Sequence, residues 1–153
     1  MDVIADNQGR GSGLEVLRAL IASGRRAPIS QLMEFDLVEV DEGRAVFRAV
    51  PGVHAYSPIG AVHGGYAATL LDSACGCAVH ASLTGMQTYT TLELKVAYHR
   101  ALTAQTGPVQ AEGKVVSIGK RVAFAEARLT DADGRLYASA TSTLLVFELR
   151  VEK

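Results

Sequence analysis

Basic charge is not in surplus in this chain: 15 Lys and Arg stand against 16 Asp and Glu, a net charge of −1 over 153 residues. With no basic excess, the totals argue for neither a nucleic acid nor an anionic membrane as partner. Cysteine is scarce too. The two present, Cys75 and Cys77, are one residue apart inside an apolar segment. So close a pair rarely bridges, and small buried thiols in a reducing compartment are the natural reading. No apolar run is long enough to cross a bilayer uninterrupted, and the opening MDVIADNQGRGSG lacks the basic-then-apolar order of a signal peptide. The expectation is a cytoplasmic protein with no membrane span. Repeats and low-complexity tracts are absent. His54 and His80 have no partner pattern, so no metal is expected, because zinc sites need three or four convergent ligands. The glycine pair Gly64–Gly65 runs into Tyr-Ala-Ala rather than the serine of a nucleophile elbow.

What is present suits one globular domain: 48% hydrophobic and 20% charged residues. Residues 1–12 are polar and Gly-containing, and read as a loose tail before a single domain over 13–153. GLEVLRALIASGR has Leu14, Leu17, Leu20 and Ile21 at helical spacing. Ser12 is placed to cap that helix, with Glu15 completing a capping box and Gly24 as the stop. QLMEFDLVEV and AVFRAVPG flank a turn at Asp41 to Gly43, which predicts a hairpin. VHAYSPIGAVHGG is rich in Gly and Pro and reads as a loop. A long apolar helix follows, roughly Gly65 to Leu83. After Gly85 the period becomes two. Leu92, Leu94, Val96 and Tyr98 alternate with Glu93, Lys95 and His99, and about four strands with short turns close the chain. Short connections make those strands antiparallel. One helix apolar nearly all round plus one antiparallel sheet gives an α+β layer solution, with the sheet wrapped about the helix.

Asp72 is the anomaly. It sits among Leu70, Leu71, Ala74 and Cys75, with no basic residue within a turn. Burying an ionised carboxylate is costly unless it is paired or hydrogen-bonded. Read alone, it could simply face solvent or bind a backbone group. Two features weigh toward function. His63, Gly64 and Gly65 stand where loop becomes helix, and the unpaired N–H groups of a helix start can hold a developing oxyanion. Gly65, Thr69, Asp72 and Gly76 share one helix face, leaving space beside the carboxylate. Yet Gly64 and Asp72 are eight residues apart, about 12 Å along a helix axis, and catalytic contacts are about 3 Å long. Either the two are unrelated, or two copies of the helix lie antiparallel in a two-fold dimer and exchange ends.

SPIGAVHGGYAATLLDSACGCAVHASL, TYTTLELKVAYHRA and VVSIGKRVAFAEARLTDADGRLYASATSTLLVF resemble the hotdog-fold thioesterases of the phenylacetic-acid-degradation (PaaI-like) type, over about residues 35–148. The resemblance implies the hotdog fold, with a long central helix wrapped by a curved antiparallel sheet. It implies homodimers, commonly dimers of dimers, with each active site shared by two chains. Gly64 would supply the backbone N–H that polarises a thioester carbonyl, and His63 would shape that loop. Asp72 of the partner chain would act as general base or nucleophile. Thr90 would help to place water. Ser57 stands where the family often has Asn or Gln; it is shorter but its hydroxyl can still donate. Gly119, Lys120 and Arg121 form a charged turn that reads either as solvated surface or, by the resemblance, as a contact for coenzyme A phosphates. Lys95, His99 and Arg100 are weaker candidates of the same kind.

The expected activity is hydrolysis of an acyl-CoA thioester, with aryl and medium-chain acyl groups as candidates. Coenzyme A enters as part of the substrate, and no separate cofactor is expected. The rival readings are a hotdog hydratase or dehydratase, which the HGG fits poorly, and a non-catalytic binder of acyl-CoA or an aromatic ligand. Tyr56, Tyr66, Met86 and Tyr89 could line the pocket or belong to core or interface.

Overall fold

The structure, a computed structural model, describes residues 11–150. Residues 1–10, where most of the expected tail falls, lie outside the described residues. Ser12 belongs to the first helix, α1 (Gly13–Ser23), as its N-cap. Its hydroxyl accepts from Glu15 N–H, and the Glu15 carboxylate accepts from Ser12 N–H at 2.7 Å, the expected capping box. Gly24 ends the helix with a left-handed φ of 66°. The start of α1 is pinned elsewhere: Gly13 N–H donates to the Leu83 carbonyl, and a Cβ on Gly13 would strike the His80 carbonyl oxygen.

A second short helix, α2 (Pro28–Met33), was not expected from the sequence. Pro28 occupies its first turn, where a missing N–H costs nothing. It ends at Glu34, a non-glycine residue with φ of 58°.

The predicted hairpin is β1 (Phe35–Asp41) and β2 (Arg44–Ala49). A loop containing a single 3₁₀ turn, Val53–Ala55, leads to the long helix α3 (Gly64–His80). Four strands follow: β3 (Gln87–Tyr98), β4 (Val109–Ile118), β5 (Val122–Asp131) and β6 (Leu136–Glu148). All pairings are antiparallel, in the order β1-β2-β4-β5-β6-β3. Extra residues interrupt the register in β1 (Val38), β3 (Leu92), β4 (Val116) and β6 (Tyr137), and bulges of this kind bend and twist a sheet. The bent sheet wraps α3, which touches all six strands. This is the hotdog arrangement.

The all-round apolar character of α3 is thereby explained. Leu70, Leu71, Ala74, Cys75, Ala78 and Val79 are each 1% exposed or less. Burying a leucine side chain contributes roughly 1.5–3 kcal/mol, so this face alone commits the helix to the sheet. Contact is closest at Gly113 on β4, where an added Cβ would lie 2.2 Å from the Ala74 carbonyl oxygen. Only glycine lets strand and helix meet so closely.

Candidate active site

The start of α3 is set by its loop. His63 is the N-cap, and its Nδ1 accepts from Gly65 N–H at 2.8 Å. The neutral ring therefore carries its proton on Nε2. Tyr66 N–H donates to the His63 carbonyl. Of the first three amides of the helix, Gly64 N–H alone has no described acceptor, and Gly64 is exposed. It points free donor capacity outward at the positive end of the helix dipole. The two glycines have separate reasons. A Cβ on Gly65 would come within 2.9 Å of His63 Nδ1, and one on Gly64 within 3.1 Å of Tyr98 Oη.

Tyr98 is the residue that the sequence did not single out. Its hydroxyl donates to the Gly64 carbonyl at 2.7 Å from the far end of β3. The loop is also tied by His63 N–H to the Ala55 carbonyl and by Val62 N–H to the Leu102 carbonyl. Ser57 closes it from within, donating its hydroxyl to the Ala61 carbonyl at 3.1 Å. Within its own chain, Ser57 thus braces the loop, and the described hydrogen bonds it donates go to Ala61 rather than to Asp72. A cleft of about 330 Å³ opens beside Gly64, lined by His63, Tyr98, Arg100, Leu102 and Tyr137. Arg100 lies over the Tyr137 ring, 5.9 Å from its centroid. Of the weaker basic candidates, His99 and Arg100 border this cleft, while Lys95 lies apart from it on β3.

Asp72 is half-buried on α3, and the described ion pairs do not include it. Its partner is Thr91, whose hydroxyl donates to Asp72 Oδ1 at 3.0 Å. Thr90, the residue expected to help place water, is thus not the threonine that bonds Asp72 within the chain. Thr91 pairs with the fully buried Leu144 and faces the helix; Thr90 pairs with Leu145 and is exposed on the other side of the strand. A bulge between Thr91 and Glu93 then adds Leu92 as an extra residue. Leu92, expected inside, is 58% exposed, whereas Leu94 and Val96 face the core. The buried Ser142 hydroxyl donates to the Glu93 carbonyl beside the bulge.

The small-residue stripe has an occupant: a Cβ on Gly76 would meet Tyr89 Oη at 2.6 Å. Tyr89 also packs edge-on against His80. Burial, reinforced by Asp72, pushes the Cys75 and Cys77 thiols up to about 12. Neither is a thiolate near neutrality, so neither serves as a nucleophile. Of the other pocket candidates, Tyr66 is buried with its hydroxyl unpartnered, Tyr56 Oη accepts from Ala104 N–H, and Met86 is 43% exposed.

Gly119, Lys120 and Arg121 form the exposed turn between β4 and β5, closed by Gly119 N–H donating to the Val122 carbonyl. The Arg121 carbonyl accepts from Val146 N–H, and Val146 pairs with Tyr89. The turn therefore lies at the Thr91 end of β3, and the Gly64 cleft lies at the Tyr98 end. Gly64 and Asp72 are both on α3 and so about 12 Å apart within one chain.

A sequence signature of the thioesterase superfamily matches residues 59–138, more than half of the chain and the whole of α3. The chain belongs to the thioesterase superfamily. It is similar to a 1,4-dihydroxy-2-naphthoyl-CoA hydrolase from Listeria monocytogenes, with 26% identity over 80% of this chain and 98% of that one. Among solved structures, a thioesterase from Haemophilus influenzae superposes with a TM-score of 0.76 at 18% identity, covering 91% of this chain and 93% of that one. A phenylacetic-acid-degradation-related protein from Ralstonia eutropha JMP134 gives 0.74 at 23% identity, covering 84% and 98%. These two likenesses concern the fold. As a thioesterase, the protein cleaves thioesters. No helix among the described residues is long and apolar enough to cross a membrane.

Proposed function

We propose that this thioesterase hydrolyses an acyl-CoA at a site built from two chains. Gly64 N–H of one chain holds the thioester carbonyl, and Asp72 of a second copy takes a proton from the attacking water. The carrying observation is the pairing of one unsatisfied amide at the start of α3 with one Thr91-anchored carboxylate two turns later. Each group suits half of the reaction. Because they are about 12 Å apart on one rigid helix, one chain cannot bring both to the same carbon. Two copies of α3 in opposite directions would create two equivalent sites. With Oδ1 held by Thr91, the other oxygen of Asp72 is the one open to water. Exposed Lys120 and Arg121 are well placed by charge for coenzyme A phosphates. A homodimer, itself able to pair into a tetramer, is the assembly this reading requires.

The test is complementation. Gly64→Pro removes the amide at the first helical position, where proline fits, and His63 already has the extended backbone that precedes proline, with ψ of 134°. Gly64→Ala adds a comparable Cβ but keeps the N–H. Expected are an inactive Gly64→Pro, an inactive Asp72→Asn and an active Gly64→Ala. Refolding the two inactive variants together in equal amounts should restore about a quarter of wild-type turnover, since half of the dimers are mixed and each has one intact site. No recovery from mixing would refute the shared site.

A further inference from the structure

A second cavity, of about 540 Å³, lies on the Asp72 side of the molecule, between α1, β1 and α3. Its walls are hydrocarbon: Leu20 and Ile21 from α1, Phe35 from β1 and Phe47 from β2. Its inner end is formed by Ser73, Cys77 and Tyr89. Ser73 follows Asp72 directly, and Cys77 is one turn further on the same face as Ser73. Tyr89 precedes Thr91 by two residues and so shares its face of β3. The cavity therefore ends next to the Asp72–Thr91 pair, one residue from Asp72 on α3 and two from Thr91 on β3, although neither of the two lines it. Asp72 acts electrostatically on both Cys77 and Tyr89, in keeping with that proximity.

We propose that this cavity receives the acyl tail of the substrate, and that the tail is an unbranched hydrocarbon chain of medium length. The proposal rests on Asp72 being the hydrolytic carboxylate. A thioester carbon beside Asp72 puts the next carbons of the acyl group at the inner end of the cavity. From there the α1 wall runs from Val16 to Gly24, about 12 Å of helix and enough for a chain of about eight carbons. The volume is in the range of small-ligand sites. Polar tails are disfavoured, because the wall is largely hydrocarbon, with Ser30 of α2 among its few polar side chains, and offers little to offset their desolvation. The charged groups are at the rim, where Arg26 makes a two-pronged contact with Asp36.

The test uses two readouts. Non-hydrolysable S-alkyl-CoA thioethers of two to twelve carbons are titrated calorimetrically, and acyl-CoAs of matching length are assayed for release of free thiol. Wild-type affinity should improve about two- to fourfold per added methylene up to about eight carbons and then level off. Leu20→Trp and Ile21→Trp, at partly exposed positions of α1, fill the slot. They should abolish the gain beyond about four carbons and leave binding of S-ethyl-CoA unchanged. Ile21→Ala, which widens the slot and strains nothing, should move the plateau to longer chains. A flat wild-type profile, or the same profile in all variants, overturns the proposal. Chain-length-dependent binding without hydrolysis of any acyl-CoA would retain the cavity assignment and defeat the hydrolase reading. Hydrolysis that is indifferent to chain length would do the reverse.

Discussion

Thr91 donates its hydroxyl to Asp72 across 3.0 Å, while the adjacent Thr90 faces away from the helix. One carboxylate oxygen is thereby fixed, and the other has no described hydrogen bond. Asp72→Asn keeps an oxygen for Thr91 but cannot take a proton. It should lower kcat by about 10²–10⁴, the usual worth of a general base. Thr91→Val should cost about tenfold, and Thr90→Val close to nothing. Steady-state free-thiol assays on the three variants decide this; equal losses at positions 90 and 91 would contradict the register.

Tyr98 steadies the loop that presents Gly64, through one exposed hydrogen bond. Such a bond contributes about 0.5–1.5 kcal/mol net. Tyr98→Phe should therefore reduce kcat by about two- to tenfold with little change in melting temperature. An equal fall in both would mean that the hydroxyl serves the fold rather than the loop.

Gly113 is where β4 and α3 nearly touch. An added Cβ would lie 2.2 Å from a backbone oxygen, and backbone cannot swing aside as a side chain can. Gly113→Ala should destabilise the protein by at least about 2 kcal/mol, at the upper end of overpacking costs. Urea unfolding measures it, and a midpoint within error of wild type would show that strand and helix can separate there.

Burial holds His80 below its ordinary value of 6.5. Its folded form is the neutral one, so on acidification the unfolded chain binds the extra proton. The stability this group contributes is complete above about pH 6.5 and is lost as the pH falls below it. Thermal melts should show a decline between about pH 7 and pH 5.5 that is shallower in His80→Gln. Parallel profiles would remove His80 as the source.

Much of the architecture was legible locally. The long apolar helix, expected over roughly Gly65 to Leu83 and found at Gly64–His80, the Ser12–Glu15 box and the hairpin with its turn at Asp41 to Gly43 all followed from spacing and cap chemistry. HGG and Asp72 were visible because a carboxylate in an apolar helix and a glycine pair at its start each need an explanation. The rest depended on features that periodicity does not carry. The bulge at Leu92 inserts one residue into a regular alternation, and that single residue separates Thr90 from Thr91 in role. Tyr98 reaches Gly64 across 34 residues of sequence. α2 has six residues, too few for a helical period to declare itself. The slot beneath α1 exists only once three distant elements have packed.

The strand order has a kinetic consequence. β1 with β2, β4 with β5, and β5 with β6 are neighbours in sequence and can zip early. The sheet is completed only when Ala49 meets Val109 and Tyr98 meets Ala138. Until both remote pairings form, α3 has no complete surround for its apolar perimeter. Non-local pairings of this kind slow folding toward the millisecond-to-second range. During that interval the greasiest segment of the chain is the one still waiting for cover, and it is also the segment that carries Gly64 and Asp72.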